Sequence, residues 1–212
     1  MILPHAHARK SSSPSRPKRI TRALLPADTI ELSRFLIGKL LVARIGGTRS
    51  VARIVEVEAY VTGDPASHAF RGPTKRNRVM FGRRGHAYVY RIYGTSWCLN
   101  VTSAEPGIAE AVLVRALEPI AGIDAMRARR PGIDDRNLLR GPGRLCAALG
   151  IDGSFDGIDL CDAHSPLTLF DDSVRLPTGV STRIGLTRAA ERELRFYARG
   201  SKWLSGRVSL SP

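Results

Sequence analysis

Arg53-Ile54-Val55-Glu56-Val57-Glu58-Ala59-Tyr60 is the stretch on which the reading of the fold turns. Side chains alternate between the faces of a β-strand. Val55, Val57 and Ala59 therefore share one face, and Ile54, Glu56, Glu58 and Tyr60 the other. The first set reads as core. The second places two carboxylates and a phenol side by side, toward something other than an apolar interior. Neighbouring carboxylates on a concave surface separate in proton affinity, which suits acid–base work. A solvated strand face is the competing reading of these eight residues taken alone.

Upstream, KLLVARI (39–45) reads as a partner strand across Gly46-Gly47. Asp28, with Glu31 three residues on, forms a capping-box start to a helix reaching Gly38. Ile30, Leu32, Phe35 and Leu36 supply its buried stripe. Downstream, 61–86 reads as loop with a short helix. AYVYRIY (87–93) is a strand that turns at Gly94, and 97–102 and 110–117 follow as strands. Helices are expected over 119–129 and, behind a Gly-Pro-Gly turn, over 144–149. Strands 166–170 and 180–186 close the pattern. No internal repeat is present. Successive strands with helices before and after them predict a single α+β domain over 23–212, a curved antiparallel sheet flanked by helices. Residues 1–22, rich in Ser, Pro and cations, predict a disordered basic tail, with folded structure beginning near Asp28.

The 212 residues are enough for one proper core. Thirty-three Lys and Arg against nineteen Asp and Glu give a net charge of +14. The first 22 residues hold six of those cations and no acid, so the remainder keeps +8. That excess favours a polyanionic partner, of which nucleic acid is the commonest. Cys98, Cys146 and Cys161 have no Cys-x-x-Cys spacing and read as reduced, buried thiols of an intracellular protein. No run approaches the roughly 18 apolar residues of a membrane span, and the N-terminus lacks a signal-peptide core. His68, His86 and His164 have no metal-ligand spacing with each other or with the cysteines. No phosphate- or dinucleotide-binding fingerprint occurs, so neither metal nor cofactor is expected.

Four of the five tyrosines, Tyr60, Tyr88, Tyr90 and Tyr93, fall within one short region. Tyr88 and Tyr90 share a strand face. Tyr93 stands at a hairpin tip, where a ring makes a poor core residue but a good wedge between base steps. Tyr60 and Tyr90 are placed to stack on a planar base, each stack contributing about 1–3 kcal/mol. Cross-strand aromatic pairing is the bland alternative. Between the strands, Arg71, Thr74, Lys75, Arg76, Asn77 and Arg78 are types that contact phosphates, or else a solvated basic loop. His68 is a hydrogen-bonding candidate for a base or sugar. Arg115, inside the apolar AVLVRAL (111–117), needs a carboxylate or water as partner.

Taken in series, LIGKLLVARI (36–45), RIVEVEAY (53–60), DPASHAFRGPTKRNRVMF (64–81), AYVYRIYGTSWCLNV (87–101), VLVRALEP (112–119), GPGRLCAALGI (141–151) and RIGLTRAAERELRFY (183–197) resemble the alkyladenine (3-methyladenine) DNA glycosylase family. The resemblance spans about residues 24–205. It implies that Glu58 is the general base that activates water, with Arg115 and a backbone carbonyl at Ile184 helping to position that water. Tyr60, His68 and Tyr90 would line a pocket for an everted base, and Asn100 would screen purines within it. Tyr93 would be the wedge, and Thr74, Lys75, Arg76, Asn77, Arg78 and Arg144 would hold the DNA backbone. Two departures stand out: the loop before His68 is one residue shorter, and Ser96-Trp97 replaces other, bulkier residues.

The expectation is a monofunctional DNA glycosylase acting as a monomer on double-stranded DNA with damaged purines, in the cytoplasm, on chromosomal DNA. No lysine other than Lys75 lies in the pocket motifs, so Schiff-base lyase chemistry is not expected. A non-catalytic nucleic-acid-binding module is the alternative and makes no demand on Glu58 or Arg115. A hydrolase of free nucleosides would need neither wedge nor phosphate loop.

Overall fold

The computed structural model describes residues 16–206. Its central strand is β3 (Thr48–Tyr60), thirteen residues long, which contains the RIVEVEAY segment. The N-terminal half of β3 pairs with β2 (Leu40–Ile45) through the Gly46-Gly47 turn. Its other edge pairs with β6 (Ala111–Ala121) along almost its whole length. Beyond Ile54 the place of β2 is taken by β9 (Arg195–Ala198), which aligns Glu56 with Tyr197 and Glu58 with Arg195. One long strand thus changes partners halfway, and the sheet curves around the change.

The remaining strands are β1 (Lys18–Arg19), β4 (Ala87–Ile92), β5 (Ser96–Thr102), β7 (Leu167–Asp171) and β8 (Thr178–Ser181). Their order is β1-β7-β2-β3-β6-β5-β4, with β8 and β9 joined on beside β3, and all pairings among the described residues are antiparallel. Helix α1 (Thr29–Leu36) starts where Asp28 accepts the Glu31 N–H at 2.8 Å, and it buries Leu32 and Leu36. Helices α2 (Ile123–Arg129), α3 (Asp135–Leu138) and α4 (Pro142–Leu149) follow β6. Proline opens α4, where its missing N–H has no helical partner to lose. Gly143 lets α4 reach β5, because a Cβ there would stand 2.9 Å from the Ser96 Cβ. This is the expected α+β fold.

Several boundaries move, each for a physical reason. Residues 18–22, expected to be part of the tail of 1–22, belong to the fold. Lys18 and Arg19 pair with Asp171 and Phe170, Ile20 is buried, and Arg22 bonds Asp159 at 2.5 Å. Residues 1–15 and 207–212 lie outside the described residues. Residues 119–121, expected to be helical, extend β6 instead, and α2 begins only after Gly122 (φ 74°). The expected strand 180–186 stops at Ser181.

The alternation in β3 is also imperfect. Ile54 joins the same core as Val55 and Val57. The ladder to β6 skips Val55 on one strand and Arg115 on the other: Ile54 faces Leu117, Glu56 faces Ala116, and Val57 faces Val114. Two compensating bulges therefore sit beside Glu56. Bulges re-aim side chains, and here the second of them carries Arg115.

The core contains Leu32, Leu36, Leu41, Ile54, Val57, Leu99, Leu117, Leu145 and Phe196 among others. The three cysteines are free and buried. Among the described residues no helix is long and apolar enough to cross a membrane.

Candidate active site

Glu56 and Glu58 are both fully buried, at 0 % exposure. Side chains so enclosed must be paired and hydrogen-bonded, which removes the solvated-strand reading. Arg115 lies between them, Nε on Glu56 Oε1 at 3.1 Å and Nη1 on Glu58 Oε1 at 3.1 Å. Burial works against the Arg115 charge, but Glu58 and Glu56 outweigh it and raise its pKa, so it stays a cation.

The two carboxylates are not equivalent. Glu56 Oε1 also accepts Arg195 Nε at 2.7 Å and Ser205 Oγ at 2.7 Å, and Oε2 accepts the Ser205 N–H. Glu58 Oε1 accepts the Ile184 N–H at 2.8 Å, and Oε2 accepts the Tyr60 hydroxyl at 3.0 Å. A carboxylate offers about four lone-pair sites. Glu58 uses two of them in hydrogen bonds, one on each oxygen, and Arg115 adds an ion pair at Oε1. Burial, then the Glu58 charge, push the Tyr60 pKa far up, so its hydroxyl keeps its proton and donates.

Over this floor opens a cavity of about 640 Å³, within the range of small-ligand pockets. Tyr60, Arg115 and Ile184, the three partners of Glu58, line it, while Glu58 itself lies one layer behind them. Tyr88, Tyr90, His68, Met80, Cys98 and Asn100 complete its inner wall. Tyr88 and Tyr90 lie 5.3 Å apart between centroids, and the His68 ring meets Tyr90 edge-on at 4.4 Å. Asn100 is buried and donates to the Tyr88 carbonyl at 3.0 Å. Tyr93, Gly141, Pro142, Gly143 and Arg144 form part of the rim.

His68 is exposed as a residue, yet its ring is enclosed by Tyr88 and Tyr90, and Nδ1 lies 2.9 Å from the Tyr88 hydroxyl. Burial of the ring, then the Arg76 charge, lower its pKa from the ordinary 6.5. The imidazole is therefore neutral at pH 7. An NMR titration should put its midpoint below 6.5, and Arg76→Ala should move it upward; a midpoint above that value contradicts this environment. Burial raises the Tyr88 pKa to about 12, so that phenol too is neutral.

The β4–β5 hairpin ends in Tyr93 (φ 53°) and Gly94 (φ 68°). Successive positive φ angles suit the twist of a hairpin, but a tyrosine there is a backbone outlier. It is also 88 % exposed. Strain and exposure both weigh against a role in folding.

In the basic loop, Thr74, Lys75, Arg76 and Arg78 are exposed. Arg76 also donates to the Arg91 carbonyl at 3.0 Å and lies 5.1 Å over the Tyr90 ring. Asn77 departs from its expected place at the DNA backbone. It is 1 % exposed, accepts the Thr74 N–H at 2.6 Å, and donates to the carbonyls of His68 and Gly72. Its amide is used up bracing the loop and has nothing left for a phosphate. Among the described residues no cluster of His, Cys, Asp or Glu is suited to a metal ion.

Sequence reasoning gave no role to Asp64, Arg183, Arg195 or Ser205. Arg195 carried a usable signal, a cation within the apolar Leu194-Arg195-Phe196-Tyr197-Ala198, the same logic that singled out Arg115. Asp64 and Ser205 carried none.

A slot walled by neutral rings, with a buried carboxylate behind them and cations at its rim, has the form of an enzyme's active site. The family described as Methylpurine-DNA glycosylase (MPG) matches residues 23–202. Proteins named "Putative 3-methyladenine DNA glycosylase" are close relatives. The one from Mesorhizobium japonicum is 55% identical over 90% of this chain and 92% of its own. That from Methanoculleus marisnigri is 50% identical over 87% and 97%, and that from Paraburkholderia phytofirmans 46% over 93% and 92%. The chain belongs to the methylpurine-DNA glycosylase family. It is a DNA glycosylase of DNA repair, a hydrolase of N-glycosyl bonds whose substrate is DNA.

Proposed function

We propose that this enzyme everts an alkylated or deaminated purine, of the 3-methyladenine, 7-methylguanine, hypoxanthine and ethenoadenine class, from duplex DNA. It hydrolyses the glycosidic bond with a water activated by Glu58 and leaves an intact abasic site. The observation that carries this reading is the Glu58 carboxylate, fully buried, held by two hydrogen bonds and an ion pair from residues that themselves line the aromatic cavity. A water reaching the Glu58 carboxylate would give up its proton there as it attacks C1′. The negative floor would stabilise the sugar cation that develops.

Tyr60, His68, Tyr90 and Asn100 hold the everted base, and the Ile184 N–H orients the carboxylate. The neutral His68 and Tyr88 suit an uncharged base edge, and the open ring faces suit a cationic one. Thr74, Lys75, Arg76, Arg78 and Arg144, all exposed, hold phosphates. The enzyme acts as a monomer inside the cell, where its DNA is.

The test is a duplex with a single hypoxanthine, incubated with enzyme and then treated with alkali. Strand scission at the lesion only after alkali is expected. No scission with any purine lesion overturns the reading, and scission before alkali overturns the monofunctional chemistry.

The wedge role of Tyr93 has its own consequence. Tyr93→Gly should leave the melting temperature unchanged or higher, because glycine accepts the left-handed backbone. It should weaken binding to lesion duplex by about 1–3 kcal/mol, the value of one base–aromatic stack. Unchanged affinity in a competition titration rejects the wedge.

A further inference from the structure

The third contact of Glu58 comes from outside the sheet. Ile184 belongs to residues 182–194, which join β8 to β9 without a strand or helix of their own. A loop lacks a ladder to hold its backbone, yet this one must present an N–H to Glu58 at 2.8 Å. The residue before it, Arg183, supplies the anchor.

Arg183 and Asp64 both have fully buried side chains, at 0 % exposure. Arg183 Nη1 donates to Asp64 Oδ2 and to the Ala59 carbonyl, the latter at 3.1 Å. Nη2 donates to Asp64 Oδ1 at 3.1 Å and to the Ala189 carbonyl at 3.4 Å. The same guanidinium stands 4.7 Å from the centroid of the Tyr60 ring. Asp64 in turn accepts the Ala66 N–H at 3.0 Å on Oδ1 and the Ser67 N–H at 2.9 Å on its carbonyl, shaping the turn that leads to His68. Burial opposes the Asp64 charge, but the Arg183 hydrogen bonds prevail and hold its carboxyl below the ordinary range.

Two buried charges are not a favourable way to stabilise a fold, since packed apolar residues of similar volume often do as well. The pair does something apolar residues would not. It ties the end of β3 at Ala59-Tyr60, the turn before His68 and the Ile184 loop to one rigid fork. Arginine suits that task because its donors are fixed in one plane.

We propose that Asp64 and Arg183 are positioning residues for base release. They hold the Ile184 N–H on Glu58 and support the Tyr60 ring, and so govern the rate of the chemical step rather than affinity for DNA. This rests on the reading of Glu58 as the base.

The experiment compares the full chain with Arg183→Lys, Asp64→Asn and the double variant. Single-turnover excision of hypoxanthine from duplex DNA, at several enzyme concentrations, separates the maximal rate from half-saturation. Arg183→Lys keeps the charge but loses the fork. Its maximal rate should fall about 100-fold, as a misplacement near 1 Å does, with half-saturation nearly unchanged. The double variant should be no slower than the slower single one, because the two act as one unit. Amide exchange should show the Ile184 N–H losing protection in the same variants while neighbouring strands keep theirs, a signature that a merely structural pair would not give. A folded Arg183→Lys with the wild-type rate overturns the proposal. So does unfolding of Arg183→Lys, or a loss confined to half-saturation. If wild-type enzyme releases neither hypoxanthine nor any other purine lesion, this proposal and the Glu58 reading fall together; if it excises and Arg183→Lys matches it, only this proposal falls.

Discussion

Glu58→Gln is expected to slow base release by about 10²–10⁴-fold, the span of general-base catalysis, with affinity for lesion duplex nearly intact. The prediction depends on which oxygen becomes the amide nitrogen. Glu58 Oε1 accepts the Ile184 N–H at 2.8 Å and faces the Arg115 Nη1 cation at 3.1 Å, so only the glutamine oxygen fits that place. The NH₂ is then forced to the Oε2 position, where the Tyr60 hydroxyl can turn to accept from it. The pocket keeps its shape and its bound base. What vanishes is the carboxylate that would take the proton from water, since a neutral amide is no base for it. Single-turnover kinetics alongside a binding titration on hypoxanthine duplex measures both quantities. Wild-type cleavage by this variant removes Glu58 as the base, and equal losses of rate and binding would make it a substrate-binding residue.

Much of this site was legible because its signals are local. Alternation in RIVEVEAY puts Glu56 and Glu58 on one face wherever the strand pairs, and both are indeed buried together. The Asp28–Glu31 cap is likewise settled within four residues. What stayed hidden depends on partners far along the chain. Ile20 is one apolar residue in a basic stretch, and only pairing of Lys18-Arg19 with β7, some 150 residues on, buries it. The bulges at Val55 and Arg115 leave no composition mark, because each is an extra residue relative to a strand met only in the fold. Asn77 looked like its basic neighbours and proved to be the brace of their loop. Polar residues at loops can face inward as easily as outward, and one sequence does not say which. Arg115 shows the reverse. A cation in an apolar strand needs a partner wherever the strand goes, so its buried pairing with a carboxylate could be expected, although two of them share it.

Removing that shared cation is expected to have the largest effect on stability. Arg115→Met should destabilise the fold by about 3–5 kcal/mol, the usual cost of leaving a buried charge without its partner. At this chain length each kcal/mol shifts the midpoint by about 2–4 °C, so melting should fall by about 6–20 °C. Glu56 would still hold Arg195 and Ser205. Glu58 would be left with the Tyr60 hydroxyl and the Ile184 N–H alone, two neutral donors for a fully buried carboxylate. The penalty should therefore fall chiefly on Glu58, and a cycle with Glu58→Gln isolates it. If the cost comes from the unpaired charge, Arg115→Met will destabilise the Glu58→Gln protein much less than the wild type, with coupling within the 0.5–3 kcal/mol typical of contacting residues or above it. Strictly additive melting data would show instead that Arg115 serves the fold through its packing, and that its charge is not what holds the two carboxylates in place.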